Sequence, residues 1–155
     1  MTPPMRTPLL SPVLTVFGLF FVFGVIAMNR IWPSGWAWEP EQPAYLHMIF
    51  SIYVTLGIFL LLAARDPARH LSLIWFTVWS SVAHGTAMAW HSVAEPSQRG
   101  HLWGDVAALY LTAMVLAVLA NEVRNQRRNV FAPFAQRRQC DRDDAEAVKQ
   151  VFPKL

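Results

Sequence analysis

The chain has 155 residues, of which 54% are hydrophobic and 13% aromatic, and its mean hydropathy is +0.29. Values this high argue against a soluble domain, and so against a soluble enzyme, and favour one domain embedded in a lipid bilayer. The formal net charge is +3, with the basic residues concentrated towards the C-terminus. This distribution indicates contact with anionic lipid and not with nucleic acid.

Four apolar segments each have about the 20 residues that an α-helix needs to cross a bilayer. They cover residues 9–28, 45–64, 71–92 and 102–121. The first lacks the small-residue cleavage site of a secretory signal, so we expect it to be retained. Because short links join the later segments, neighbouring helices should be antiparallel. The sequence therefore predicts an all-α fold, a four-helix transmembrane bundle with up-down-up-down topology, within residues 1–122.

Charge predicts the orientation of this bundle, because Lys and Arg are retained in cytoplasmic loops. Every Lys and Arg except Arg30 and Arg99 lies before the first segment, between the second and third, or after the fourth. Both termini should therefore be cytoplasmic. Residues 123–155 should form a basic, mostly mobile cytoplasmic tail, which contains the only cysteine, Cys140.

Aromatic residues predict the outer boundary, since Trp and Tyr prefer the headgroup region. The residues that we assign to this boundary are Trp32, Trp36, Trp38, Tyr45, Trp90 and Trp103.

Polar side chains interrupt the third segment at intervals that place them on one helix face. His84 and His91 are seven residues apart, with Met88 between them. Polar groups are costly in lipid, so this face should point into the bundle. By helical rise, His47 of the second segment and Asp105 of the fourth lie at about the depth of His91. The sequence thus brings polar groups from three helices to one level.

This convergence has several chemical interpretations. His47, His91 and Asp105 form a candidate metal site, because two imidazoles and a carboxylate suit Zn, Cu or Fe. His84 is a candidate axial ligand of a haem or other cofactor, with Met88 beside it but too close in sequence to hold the opposite haem face.

Two further interpretations need no metal. In the first, Asp105 orients a neutral histidine beside a quinone-like ligand. In the second, the polar groups are structural and Asp105 pairs with His91 or His101.

Small residues recur every four positions in the last two segments, a spacing that lets helices approach closely in lipid. They are Ser81, Gly85 and Ala89, then Gly104, Ala108 and Thr112. We expect the third and fourth helices to touch along these faces. The same helices could mediate a homo-oligomer or docking on a larger membrane complex.

The stretches A-A-R-D-P-A-R-H-L-S-L-I-W-F and S-V-A-H-G-T-A-M give the chain a resemblance to a family. The chain resembles small four-helix bacterial membrane proteins of unknown function and, more loosely, DoxX-like proteins, over residues 13–121. The resemblance implies the bacterial inner membrane and a four-helix architecture. It implies no catalytic residue.

Three functions follow from these observations. The favoured one is an accessory or structural component of the inner membrane, because the chain has no nucleotide motif and no catalytic triad. The second is a redox protein that uses a metal, haem or quinone at the histidines. The third is an oligomeric carrier of small solutes. An enzyme is not the favoured interpretation.

Overall fold

The computed structural model describes residues 9–38 and 43–126, and the regular structure in these two ranges is helical throughout. Helix α1 spans Leu10–Ile31 and includes a π-helical turn at Phe20–Gly24. The other elements, in chain order, are α2 (Pro33–Trp36), α3 (Pro43–Ala63), a 3₁₀ turn (Pro67–His70), α4 (Leu71–Ala94), a second 3₁₀ turn (Pro96–Leu102) and α5 (105–126). The prediction of an all-α fold is confirmed.

Proline marks the start of several of these elements. Pro33 and Pro43 begin α2 and α3, and Pro67 and Pro96 begin the two 3₁₀ turns. Proline suits a first helical turn because its missing N–H would have no partner within the helix. The connection between α1 and α3 therefore contains a short helix of its own, α2, which lies outside the four predicted segments.

Helices α1 and α3 lie side by side and run in opposite directions. Ser11, in the first turn of α1, donates a hydrogen bond of 2.6 Å to the carbonyl oxygen of Ala64, just beyond α3. Further along, a Cβ atom at Gly57 would lie 2.7 Å from the carbonyl oxygen of Gly18. The two backbones are therefore in direct contact, which is the packing that small residues permit in lipid.

Helices α4 and α5 also pack together, as the sequence analysis predicted. A Cβ atom at Gly85 would lie 3.4 Å from the Cβ atom of Leu109, which is ordinary van der Waals contact. One position on, the hydroxyl groups of Thr86 and Tyr110 are 2.9 Å apart and share a hydrogen bond. The two helices therefore touch at Gly85, one of the predicted small residues, but the partners on α5 are Leu109 and Tyr110, and Gly104 packs against Gly35 instead. An oligomer formed through these helices stays a prediction.

Within residues 9–38 and 43–126, three helical stretches are long and apolar enough to cross a membrane, namely Leu10–Ile31, Pro43–Ala63 and Pro96–Gln126. Helix α4 has 24 residues, about 36 Å at 1.5 Å per residue, so it is long enough but more polar. Large apolar side chains such as Phe23 and Trp79 are exposed on the outside of the helices. Membrane-type helices are thus confirmed in three of the four predicted segments, and the crossing by α4 stays a prediction.

One half of the helix assembly has a solid interior. We call it the closed half; it contains the first turns of α1 and α4 and the last turns of α3 and α5. Its fully buried side chains are Leu10, Leu14, Leu60, Ala63, Ile74, Leu116 and Ala120. The other half contains a cavity.

The predicted tail lies almost wholly outside the described residues, and Cys140 lies there too. Helix α5 continues beyond the boundary predicted at residue 122 and is described as far as residue 126.

Candidate ligand-binding cavity

A cavity of about 660 Å³ lies between α1, α3, α4 and α5, together with the connection that contains α2. Small-molecule sites typically have roughly 300–1,000 Å³. Most of the lining side chains are apolar or aromatic: Phe20, Phe21, Val25, Trp36, Trp38, Tyr45, Leu46, Ile49, Phe50, Tyr53, Met88 and Leu109. The cavity thus has the size and the apolar character of a site for a small lipophilic molecule.

A row of ring contacts builds the cavity wall. The rings of Phe21 and Tyr53 stack at 5.4 Å between centroids, which joins α1 to α3. Tyr53 then meets His84 of α4 edge to face, at 5.9 Å and 89°. Phe20 meets Trp36 at 5.8 Å and 71°. Such pairs stabilise beyond the area that they bury, so the rings hold four elements around the cavity.

The π-helical turn in α1 supplies two of these rings. Phe20 and Phe21 are consecutive, yet both line the cavity. A Cβ atom at Gly24 would collide with the ring of Phe20, so glycine is required for the ring to lie across this turn. Single π-turns within α-helices are frequent at functional sites.

At its loop end the cavity is bordered by Trp38 and Asp105, and His101 contacts both of them. We call these three side chains the clasp. The Trp38 indole N–H and the His101 Nδ1–H each donate to Asp105 Oδ2, both at 2.9 Å. The backbone N–H of Val106 donates to Oδ1 at 2.8 Å. The Trp38 and His101 rings also stack, with centroids 4.1 Å apart. Both carboxylate oxygens are therefore occupied, in a residue that is only 6% exposed.

Two glycines let the α2 connection fold down beside the clasp. A Cβ atom at Gly104 would collide with the backbone of Gly35, and one at Gly100 with the carbonyl oxygen of Ser34. Asn29 closes the connection from the other side, because its Nδ2 donates to the carbonyl oxygen of Trp36 at 2.8 Å. The connection is thus held at backbone level, which keeps Trp36 and Trp38 at the cavity.

The structure brings most of the predicted site residues to this one cavity. His84 and Met88, the predicted cofactor residues, both line it, as do His91 and Asp105 of the predicted metal site. His47 does not line it and is exposed on α3. The expectation that one face of the third segment points into the bundle agrees with the positions of His84 and Met88.

The predicted metal ligands do not form a cluster. Among residues 9–38 and 43–126, no three His, Cys, Asp or Glu side chains are placed to hold a metal ion. Asp105 pairs instead with His101, one of the two partners that the structural interpretation named. The metal and haem hypotheses stay predictions from the sequence.

Sequence reasoning did not single out Tyr53 or the inward position of two tryptophans. Trp36 and Trp38 were assigned to the outer membrane boundary, but both line the cavity. Trp90 and Trp103, assigned to the same boundary, are 76% and 81% exposed. The available signal was Gly35, directly before Trp36, because a glycine permits close backbone packing.

The fold and the cavity define the class of this molecule as a small helical protein with helices long and apolar enough to cross a membrane. A family model matches residues 5–131, and the chain belongs to that family, the family of unknown function DUF6632. No curated protein and no solved structure matches the chain. The resemblance to a family of unknown function is confirmed. The comparisons lend no support to the DoxX-like resemblance or to a bacterial origin.

Proposed function

We propose that this protein is a small accessory component of the bacterial inner membrane that binds one lipophilic small molecule in its cavity. The observation that carries the proposal is the aromatic-lined cavity of about 660 Å³ in a chain with three membrane-type helices. A molecule that dissolves in the bilayer would reach such a site from the lipid. Most of the lining is apolar, so binding would be driven mainly by burial of apolar surface and by ring contacts.

The closed half favours binding over carriage across the membrane. A carrier needs a route to both sides, whereas the inner end of the cavity stops at Tyr53, His84 and Thr112. Beyond that level, Leu60 and Leu116 are fully buried in the solid interior. A binding protein needs only one entrance, which agrees with this arrangement.

We further propose that all four long helices cross the membrane and that both termini are cytoplasmic. The closed half would then face the cytoplasm, because Arg65 and Arg69 lie in the link between α3 and α4. The cavity and its clasp would lie in the outer half of the bilayer.

Two matched variants on α5 test the binding proposal. Ala108 lines the cavity, so Ala108→Phe should fill part of it. Ala107 is exposed and does not line the cavity, so Ala107→Phe adds the same side chain outside it. Each protein would be purified in mild detergent and extracted with organic solvent, and the extracted molecules would be identified by mass spectrometry.

We expect one lipophilic compound to co-purify with the wild type and with Ala107→Phe, and to be reduced at least fivefold in Ala108→Phe. Equal amounts in all three proteins would show that the compound is bulk lipid on the outer surface. An extract that contains only membrane lipid and detergent from every protein would contradict the proposal.

The orientation has a separate test. Cys140 is the only cysteine, so a membrane-impermeant maleimide reports the side of the C-terminal region directly. We expect labelling only after the cells are lysed. Labelling of intact spheroplasts would overturn the proposed topology without affecting the cavity.

A further inference from the structure

We infer that the ligand is an aromatic ring that carries a hydroxyl or carbonyl oxygen, and that this oxygen is bound at the inner end of the cavity by Tyr53 and His84. This inference rests on the proposed function and adds the chemical class of the ligand. It is carried by the positions of the free polar groups along the cavity wall.

The inner end lies deep within the helices. Tyr53 is ten residues from the start of α3 at Pro43, and His84 is ten residues from the end of α4 at Ala94. At 1.5 Å per residue, each lies about 15 Å from its helix end, roughly half the thickness of the hydrocarbon core. Thr112 of α5 lines the same region and is only 2% exposed. Tyr53 and His84 are thus in ring contact near the middle of the helices, and Thr112 is a third polar side chain on the cavity wall.

These groups retain hydrogen-bonding capacity. Within the part of the chain that the structure describes, neither the Tyr53 hydroxyl nor the His84 ring nitrogens form a hydrogen bond, although both rings are in aromatic contact. The Thr112 hydroxyl donates to the carbonyl oxygen of Ala108 at 2.8 Å and keeps its acceptor capacity. Polar groups in apolar surroundings are costly until they are paired, so a ligand oxygen at this point would gain more than elsewhere on the wall.

The loop end differs, because its buried carboxylate is already saturated. Asp105 accepts hydrogen bonds from Trp38, His101 and Val106. His91 and Glu95 also border the cavity, but both are exposed, so bonds from them would replace bonds to water. The strongest recognition of a polar atom is therefore expected at the inner end.

The cavity wall between the inner end and the loop end determines which apolar part of a ligand fits. Phe21, Phe50, Met88 and Leu109 border this part of the cavity, so the wall offers ring faces and aliphatic surface. Planar rings stack well on such surfaces, and the sulfur of methionine also contacts aromatic edges favourably. A ring that enters with its oxygen first would place this oxygen within reach of Tyr53 and His84 and fill the apolar middle of the cavity.

Two probes that differ by one hydroxyl group test this inference. In nanodiscs of phosphatidylethanolamine and phosphatidylglycerol, the binding of 6-fluoro-2-naphthol and of 2-fluoronaphthalene would be measured by ¹⁹F NMR. The variants are Tyr53→Phe, which removes one oxygen and keeps the ring, and His84→Leu. Tyr110→Phe is the matched control, because the Tyr110 hydroxyl lies on an exposed face of α5 and the residue does not line the cavity.

We expect the wild type to bind the naphthol at least tenfold more tightly than the hydrocarbon. Tyr53→Phe and His84→Leu should each weaken naphthol binding about five- to tenfold, the effect of one hydrogen bond. Hydrocarbon binding in both variants, and both probes in Tyr110→Phe, should change less than twofold. Tyr53→Phe decides the outcome if His84→Leu fails to fold, since it retains the stacked ring.

The failures are distinguishable. If both probes bind equally well, or if Tyr53→Phe weakens both by the same factor, the inner-end inference is wrong and the cavity remains a site for apolar molecules. If neither probe binds the wild type, and Ala108→Phe and wild type carry the same extracted compounds, the proposed function is wrong as well.

Discussion

The two halves of the bundle are built from the same long helices, yet one is solid and the other contains a cavity. In the closed half the interior positions hold compact aliphatic side chains, such as Leu60, Ala63 and Leu116. In the other half they hold large rings, such as Phe21 and Tyr53, which contact one another along the wall. Side-chain shape explains the difference, since rigid rings pack in pairs and leave space that flexible aliphatic chains would fill.

Polar groups link distant segments in both halves, but with different kinds of partner. In the closed half, the Ser11 hydroxyl donates to the backbone carbonyl oxygen of Ala64 at 2.6 Å, across 53 positions of the chain. In the cavity half, the side chains of Trp38 and Asp105 are bonded across 67 positions. The long-range bond of the closed half therefore has a backbone acceptor, whereas that of the cavity half needs two particular side chains.

The largest expected effect compares two leucines on α5. Leu116 is fully buried in the closed half, whereas Leu109 borders the cavity. Leu116→Ala leaves a new void and should lower the free energy of unfolding by about 3 kcal/mol. Leu109→Ala enlarges a space that already exists and should cost about 1 kcal/mol, because fewer contacts are lost. Unfolding with increasing SDS in mixed micelles measures both; equal losses would contradict the distinction between the halves.

The second prediction compares two glycines. Gly104→Ala forces a Cβ atom against the Gly35 backbone, which has no flexible side chain to move aside. We expect a loss of about 2 kcal/mol and greater acrylamide quenching of tryptophan fluorescence, as the α2 connection lifts. Gly85→Ala places its Cβ atom 3.4 Å from Leu109, so the change should lie within about 0.5 kcal/mol. A tolerated Gly104→Ala would show that the connection does not rest on this backbone contact.

The lengths of the helices and the depths of their side chains could be predicted from the sequence because both depend on local geometry. The bounds of the predicted segments 9–28 and 45–64 agree with those of α1 and α3 to within three residues at each end. The seven-residue step placed His84 and His91 on one face, and both line the cavity. A constant rise per residue gives the depth of a side chain without knowledge of its neighbours.

The direction in which a side chain points, and its contacts with distant residues, could not be predicted in this way. His47 shares the approximate depth of His91, but the rotation of α3 against its neighbours turns it outwards. That rotation is set by contacts such as Gly18 with Gly57, which depend on two helices at once. The inward position of Trp38 depends on glycines more than 60 residues away, whereas composition alone favours an interfacial tryptophan.

The third prediction compares a buried carboxylate with an exposed one. Asp105→Asn keeps the shape of the clasp but removes the charge and one acceptor oxygen, so an NH₂ group faces either the two donors Trp38 and His101 or the backbone N–H of Val106. We expect a loss of about 1–2 kcal/mol in the same SDS assay. Asp66→Asn alters an ion pair with Arg69 that is 3.9 Å long and largely exposed, so its effect should be below about 0.5 kcal/mol. Equal effects would show that the hydrogen bonds of the clasp contribute no more stability than an exposed ion pair.

The smallest expected effect concerns the bond between Thr86 and Tyr110, which joins α4 to α5 on an exposed face. Hydrogen bonds between membrane helices are worth about 0.6 kcal/mol on average, because the separated helices find other partners. Tyr110→Phe should therefore cost about that amount, and Thr86→Val a similar amount. In the double variant the second substitution should add little, since the shared bond is already gone. Additive losses would instead show that the two hydroxyl groups act independently, Thr86 through its bond to the carbonyl oxygen of Val82. Helices α4 and α5 would then be held together by packing alone.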